Sequence, residues 1–199
     1  MKKLLFTLFL GVSLTAYAQD YSVPAASPRA KIEQQFSISK IGVDYGRPAV
    51  KGRKIFGELV PYGKVWRAGA NGTTRVSFGQ SVDFGGKQVN AGSYGMHVIP
   101  QANEWKIVLN KDAYAWGSYT YDEKLNIAEI VVPVQKLGSK KEFFEIVLDP
   151  IDENTVNMIV SWDLTKVEVP IKVAKPDVVK KMAEQLQEVK KIEREGNKK

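Results

Sequence analysis

From Gln35 to Val173 the chain reads as short runs of alternating apolar and polar residues, interrupted by glycine, proline and other turn-forming residues. That rhythm restricts the fold more than any other feature. A period of two buries one face of a strand, and turn signals without intervening helical periods leave antiparallel sheets as the solution. Phe36 and Ile38 alternate, then Ile41, Val43 and Tyr45 alternate in the opposite phase; a bulge or turn near Lys40 explains the slip. Further strand signals fall at residues 65–68, 73–78, 81–84, 87–89, 94–99, 105–109, 127–134, 143–148, 156–162 and 167–173. Gly85-Gly86 between two of them is a two-residue hairpin signal, because both positions tolerate positive φ. The expectation is a mainly β chain: one antiparallel β-sandwich or jelly-roll domain over residues 35–174.

Two stretches break the rhythm. Residues 45–64 hold four glycines and two prolines, and residues 111–125 are irregular and aromatic-rich. Long loops in a small domain are often functional. The C-terminus changes character again. Pro176 suits a helix start, and Val179, Met182, Leu186 and Val189 recur at helical spacing. Lys190, Lys191 and Arg194 suit its C-terminal end, and Gly196 can terminate it. This predicts an amphipathic helix and basic tail over 175–199, its stripe packing on the sandwich or on a partner subunit through residues 176–195. Glu184, Glu188, Glu193 and Glu195 oppose an anionic membrane surface.

The N-terminus is expected to be removed. Lys2 and Lys3, the apolar run from Leu4 to Leu14, and Ala16-Tyr17-Ala18 form a secretory signal peptide over residues 1–18 with cleavage before Gln19. A flexible leader is expected over 19–34. The apolar run is too short to cross a bilayer, and no later stretch is long and apolar enough, so no transmembrane segment is expected. The destination is then the periplasm or the medium. The chain has no cysteine, which removes disulfides, thiol nucleophiles, cysteine zinc sites and N-terminal Cys lipidation. Its stability must come from its core.

The net charge of +7 is unevenly placed. Residues 27–80 carry ten basic residues against three acids, whereas residues 81–174 carry nine against thirteen. A local basic cluster in an exported chain fits a small anion better than nucleic acid, which is not expected as a partner.

Catalytic vocabulary is thin. His97 is the only histidine and shares a strand face with Gly95 and Ile99, so a structural role is expected for it. A histidine metal site is excluded, no calcium loop or phosphate-binding glycine loop is present, and no cofactor is expected. Asp44, Glu58, Asp83, Asp112 and Asp122 read as surface and turn residues. Arginine is the suggestive residue type. Five of six arginines, Arg29, Arg47, Arg53, Arg67 and Arg75, fall between residues 29 and 75. Their planar forks bind carboxylate or phosphate in a bidentate way. With neighbouring aromatics they define the expected ligand site: Arg47, Arg53, Trp66, Arg67, Asn71, Trp116 and Tyr119. The competing reading makes Trp66 and Trp116 core anchors and pairs the arginines with acids.

Several long motifs carry a family resemblance. They are Ser27-Pro28-Arg29-Ala30, the run from Val43 to Gly57 and the run from Leu59 to Asn71. Ala91-Gly92-Ser93-Tyr94, Ile99-Pro100, Leu109-Asn110-Lys111 and Trp116-Gly117-Ser118-Tyr119 continue them. Over about residues 27–150 the chain resembles the exported bacterial family known as domain of unknown function 2911. The resemblance implies a secreted or periplasmic all-β protein and no known activity. The family pattern usually has an apolar or aromatic residue near His97, which further weakens a catalytic role there.

The leading expectation is therefore a non-enzymatic exported module that binds a small anionic or sugar-like ligand. Two others stay open. One is a cell-envelope glycan hydrolase using two acids from Asp44, Asp83, Asp112 and Asp122. The other is a structural or assembly partner acting through the C-terminal helix.

Overall fold

Turn chemistry sets the first pairing. Ser37 takes a positive φ of 51°, and the chain reverses between β1 (Arg29–Phe36) and β2 (Ser39–Gly46), with Phe36 opposite Ser39 and Arg29 opposite Gly46. The expected phase slip near Lys40 is this hairpin turn. β1 also claims residues assigned to a leader, because Ile32 and Phe36 pack inward while charged residues point out. The computed structural model describes residues 23–197; the expected signal peptide at 1–18 lies outside the described residues.

Eight more strands follow: β3 (Thr74–Phe78), β4 (Val82–Phe84), β5 (Lys87–Val89), β6 (Gly92–Pro100), β7 (Glu104–Asn110), β8 (Asn126–Pro133), β9 (Gln135–Asp152) and β10 (Thr155–Val173). They form two antiparallel sheets, of order β1-β2-β3-β6-β7-β8 and β5-β4-β10-β9. Gly85 and Gly86, with φ of 58° and 90°, turn β4 into β5 as the dipeptide predicts. The runs at 156–162 and 167–173 are one continuous strand. Its register shifts around Asp163 (φ 55°), so a bulge rather than a turn interrupts the alternation. The run at 65–68 is no full strand; Trp66 forms an isolated antiparallel bridge with Val98.

The core lies between the sheets. Ile41, Val43, Val76, Met96, Val98, Ile107 and Leu109 from the larger sheet meet Phe144, Ile146, Met158, Val160, Val169 and Ile171 from the smaller. At one end sits an aromatic cluster in which Trp66 stacks on Trp162 at 5.9 Å, with Phe56, Trp105 and Phe144 edge-on or tilted around them. The 45–64 loop closes the sandwich by burying Val50, Ile55 and Val60. Main-chain bonds Val50 N to Glu142 O (2.8 Å) and Phe144 N to Pro48 O (2.9 Å) tie it to β9. The Tyr45 hydroxyl both donates to Ile146 O (3.2 Å) and accepts from Ile146 N (3.1 Å).

The helix α1 (Pro176–Gly196) follows β10 as expected, with proline in its first turn. None of its residues is buried; of its stripe only Val179 packs against the core. No helix among the described residues is long and apolar enough to cross a membrane.

Candidate functional site

Strand register determines what meets on the outer face of the six-stranded sheet. With Val43, Val76 and Met96 pointing inward, Asp44 stands opposite Arg75, Arg75 opposite Gly95, and Gly95 opposite Asn110. His97 and Val108 face each other one step along. The segment after β7 folds back over this outer face. It can do so because position 95 has no side chain: a Cβ there would lie 2.3 Å from Asp112 O.

Polar side chains hold that segment in place. Buried Asn110 donates to Asp122 O and Asn126 Oδ1 (both 2.9 Å) and accepts from Asp112 N (2.9 Å). Asn126 in turn donates to the Tyr121 hydroxyl (2.8 Å) and Glu129 (2.7 Å). Thr73 N donates to Ala115 O (3.2 Å), and Thr73 Oγ1 donates to Gly117 O (2.8 Å). The result is a pinned surface loop whose tip holds large aromatics in water. Tyr114 is 79% exposed, Trp116 70% and Tyr119 89%. Contact with water by so much aromatic surface is unfavourable, which makes this patch, rimmed by polar groups, a candidate interaction site.

Beside these rings lies an open cleft of about 430 Å³, lined by Arg29, Asp44, Asn71, Arg75, Tyr114 and Trp116 with the intervening backbone. Asp44 sits at its centre. Arg29 Nε reaches one carboxylate oxygen at 2.6 Å and Arg75 Nη2 the other at 2.8 Å. Arg29 also donates to the carbonyls of Gly72, Asp44 and Thr73 at 3.1–3.3 Å. The Arg75 guanidinium lies over the Tyr114 ring, 4.9 Å from its centroid. The Trp116 ring lies 3.9 Å from where a Gly72 Cβ would stand. Two arginines on one aspartate leave a net positive charge, and the cleft offers rings beside fixed donors.

The expected site residues divide between this cleft and elsewhere. Asn71 and Trp116 line the cleft, with Tyr119 three residues further along the loop and fully in solvent. Arg67 lies beside them, Nη1 3.6 Å from where a Gly117 Cβ would stand. Arg47 is elsewhere: it donates to Phe144 O (3.2 Å), pairs with Glu145 (3.6 Å) and covers the Phe143 ring. Arg53 folds back onto the carbonyls of Val50 and Ala49. Trp66 is 9% exposed, in the aromatic cluster, and donates to Gly69 O (3.1 Å). The seven residues therefore do not share one pocket. Sequence reasoning omitted Arg29, Asp44, Arg75 and Tyr114 from the site. Their signal was the alternation itself, which puts Asp44 and Arg75 on outward faces, but only register makes them neighbours.

His97 lies beneath the loop, 1% exposed, with the Tyr121 ring 4.8 Å away. Neither ring nitrogen meets hydrogen-bond geometry with a described residue. Burial lowers its pKa, partly offset by the Gly117 and Gly95 backbone and by the Asp112 charge. The other acids have local partners. Asp112 accepts from Tyr114 N, Asp122 from Lys124 N, and Asp83 from Gly86 N in the other sheet. Among the described residues no group of three acidic or histidine side chains could hold a metal.

Fold and cleft define an all-β sandwich with an open arginine-and-aromatic recess on the outside of its larger sheet. The chain belongs to the family described as protein of unknown function (DUF2911), whose model matches residues 27–171. That match contains every strand up to the last two residues of β10 and every residue of the cleft. No curated protein and no solved structure matches the chain.

Proposed function

We propose that this chain is a binding module, exported to the periplasm or the medium, that holds a small sugar-like or anionic ligand in the Arg29–Asp44–Arg75 cleft. The observation that carries this reading is the exposure of Tyr114 and Trp116 beside a fixed, charged hydrogen-bonding network. A flat ring offers apolar area to a sugar face or planar acid, and the network offers directed donors and acceptors. Export rests on the Lys2-Lys3, apolar-run and Ala-Tyr-Ala pattern of the first eighteen residues.

The test is a thermal-shift and calorimetric screen across neutral sugars, cell-wall fragments and organic anions, on the wild type and on Trp116→Ala. Stabilisation by one class, lost in the variant, supports the reading. No stabilisation by any class ends it. Export is checked by N-terminal sequencing of protein from the periplasm or medium; a chain still starting at Met1 ends that part.

A second reading rests on α1, whose Met182, Leu186, Val189 and Ile192 stay 45–61% exposed. Spacings of three and four suit a seam with the same helix of a second copy. Sedimentation of the chain with and without residues 175–199 tests this: a monomer in both cases removes it.

A further inference from the structure

The five arginines between residues 29 and 75 have unequal surroundings. Arg29 and Arg75 close on Asp44. Arg47 reaches a carbonyl and Glu145, and Arg53 two carbonyls. Arg67 differs from all four. It makes no ion pair and no side-chain hydrogen bond with any described residue, and its Nε is fully buried without a partner.

Its position is not accidental. The Trp66–Val98 bridge fixes the chain on one side (2.8 Å in both directions), and Thr74 N donates to Arg67 O (3.2 Å) on the other. One residue beyond that isolated bridge, Arg67 falls level with His97, which is buried beside the backbone of Gly95 and Gly117. The guanidinium meets the aromatic loop at Gly117: Nη1 lies 3.6 Å, and the Tyr119 ring 3.3 Å, from where a Cβ would stand. Trp116 is the preceding residue. A half-buried cation without a counter-charge carries an uncompensated desolvation cost, and an orphaned polar group in a native fold calls for a ligand, ion or water. Arg29 and Arg75 each have a counter-charge in Asp44. Arg67 has none among the described residues.

Building on the binding reading above, we propose that the ligand is a saccharide bearing an oxyanion and that Arg67 is the residue that reads its charge. The sugar ring lies against Trp116 at the edge of the cleft, and the carboxylate or phosphate group reaches past Gly117 to the Arg67 fork. A neutral sugar fills the aromatic part of the site and leaves Arg67 as it is.

Calorimetric titration at low salt tests this with digalacturonate, glucose 1-phosphate and maltose as probes, on the wild type, Arg67→Met, Arg67→Lys and Trp116→Ala. At least one acidic probe is expected to bind about tenfold or more tighter than maltose, the scale of one charge-assisted hydrogen bond. Which acidic probe wins separates a carboxylate from a phosphate source. Arg67→Met should erase the preference, so that acidic and neutral probes bind alike, and Arg67→Lys should restore part of it. Trp116→Ala should weaken all probes together. Equal binding of acidic and neutral probes by the wild type, or a preference that survives Arg67→Met, overturns the role of Arg67 and leaves the cleft reading standing. No binding by any probe overturns the acidic-saccharide assignment, and the cleft reading falls with it only if the wider screen also finds no ligand. Circular dichroism melts of each variant establish that it is folded, and Arg67→Lys, which keeps the charge and stem, supplies the comparison if Arg67→Met does not fold.

Discussion

The molecule holds two aromatic clusters with opposite fates. Trp66, Trp105, Trp162, Phe56 and Phe144 interlock between the sheets. Tyr114, Trp116 and Tyr119 stand in solvent on a loop pinned through its backbone by Asn110 and Thr73. The residue types are similar; what differs is what fixes them. Trp105 and Trp162 lie on strand positions whose alternation points inward, and Trp66 is placed by its bridge to β6. On the loop, Tyr114 and Trp116 alternate with buried Ala113 and Ala115, so it is the alanines that face the sheet and the rings that point to water. One cluster is sealed in the core and the other is left in solvent.

That division can be broken experimentally, and the largest effect is expected in the core. Trp162→Ala should cost about 3–5 kcal/mol in a urea unfolding curve; a loss below about 1 kcal/mol would mean that the cluster is loosely packed. Gly95→Ala attacks the joint between the two regions, since its Cβ would stand 2.3 Å from Asp112 O. It should cost about 1–3 kcal/mol and shift the fluorescence of Trp116 as the loop is pushed outward.

The third effect is pH-dependent and smaller. His97, buried under the loop, has a lowered pKa in the folded chain, burial being the main cause. The unfolded chain therefore takes up a proton that the folded chain refuses. Its contribution is complete above the ordinary value near 6.5 and is lost as pH falls toward and through the folded value. Acidification below neutral should destabilise the wild type more steeply than His97→Gln, and identical slopes would show that His97 does not titrate in this way. Smallest is Trp116→Ala, which should change stability by no more than about 0.5 kcal/mol. A larger loss would mean that this exposed ring is structural after all.

Much of the sandwich is legible in the chain because alternation and turn chemistry act locally. Gly85-Gly86 specifies its hairpin through two positive φ angles, and Pro176 with the Val179–Met182–Leu186–Val189 spacing specifies α1. The bulge in β10 was not legible: Asp163-Leu164-Thr165 breaks the alternation as a turn would, and only the partner strand β9 shows that pairing continues. Arg29 falls within the leader expected over 19–34, a stretch whose first residues, Asp20 to Ser27, are largely small and proline-containing, and β1 begins with it. Of the residues that arginine clustering and loop aromatics single out, Asn71 and Trp116 line the cleft, whereas Arg47, Arg53 and Trp66 lie elsewhere. Asp44 joins Arg29 to Arg75 through register across three strands, which no local pattern encodes.

The bonds from residues 45–50 to β9 bear on how the chain assembles. β9 is the outermost strand of its sheet, and its main-chain groups at residues 142–146 are occupied by Tyr45, Arg47, Pro48 and Val50. Tyr45 and Ile146 are 101 positions apart in the chain. Contacts that distant close large loops and form late. Until they close, β9 presents a bare hydrogen-bonding edge on which strands of neighbouring copies can add. Tyr45 covers part of that edge in the folded chain, and folding yield at high concentration should be more sensitive to Tyr45→Phe than equilibrium stability is.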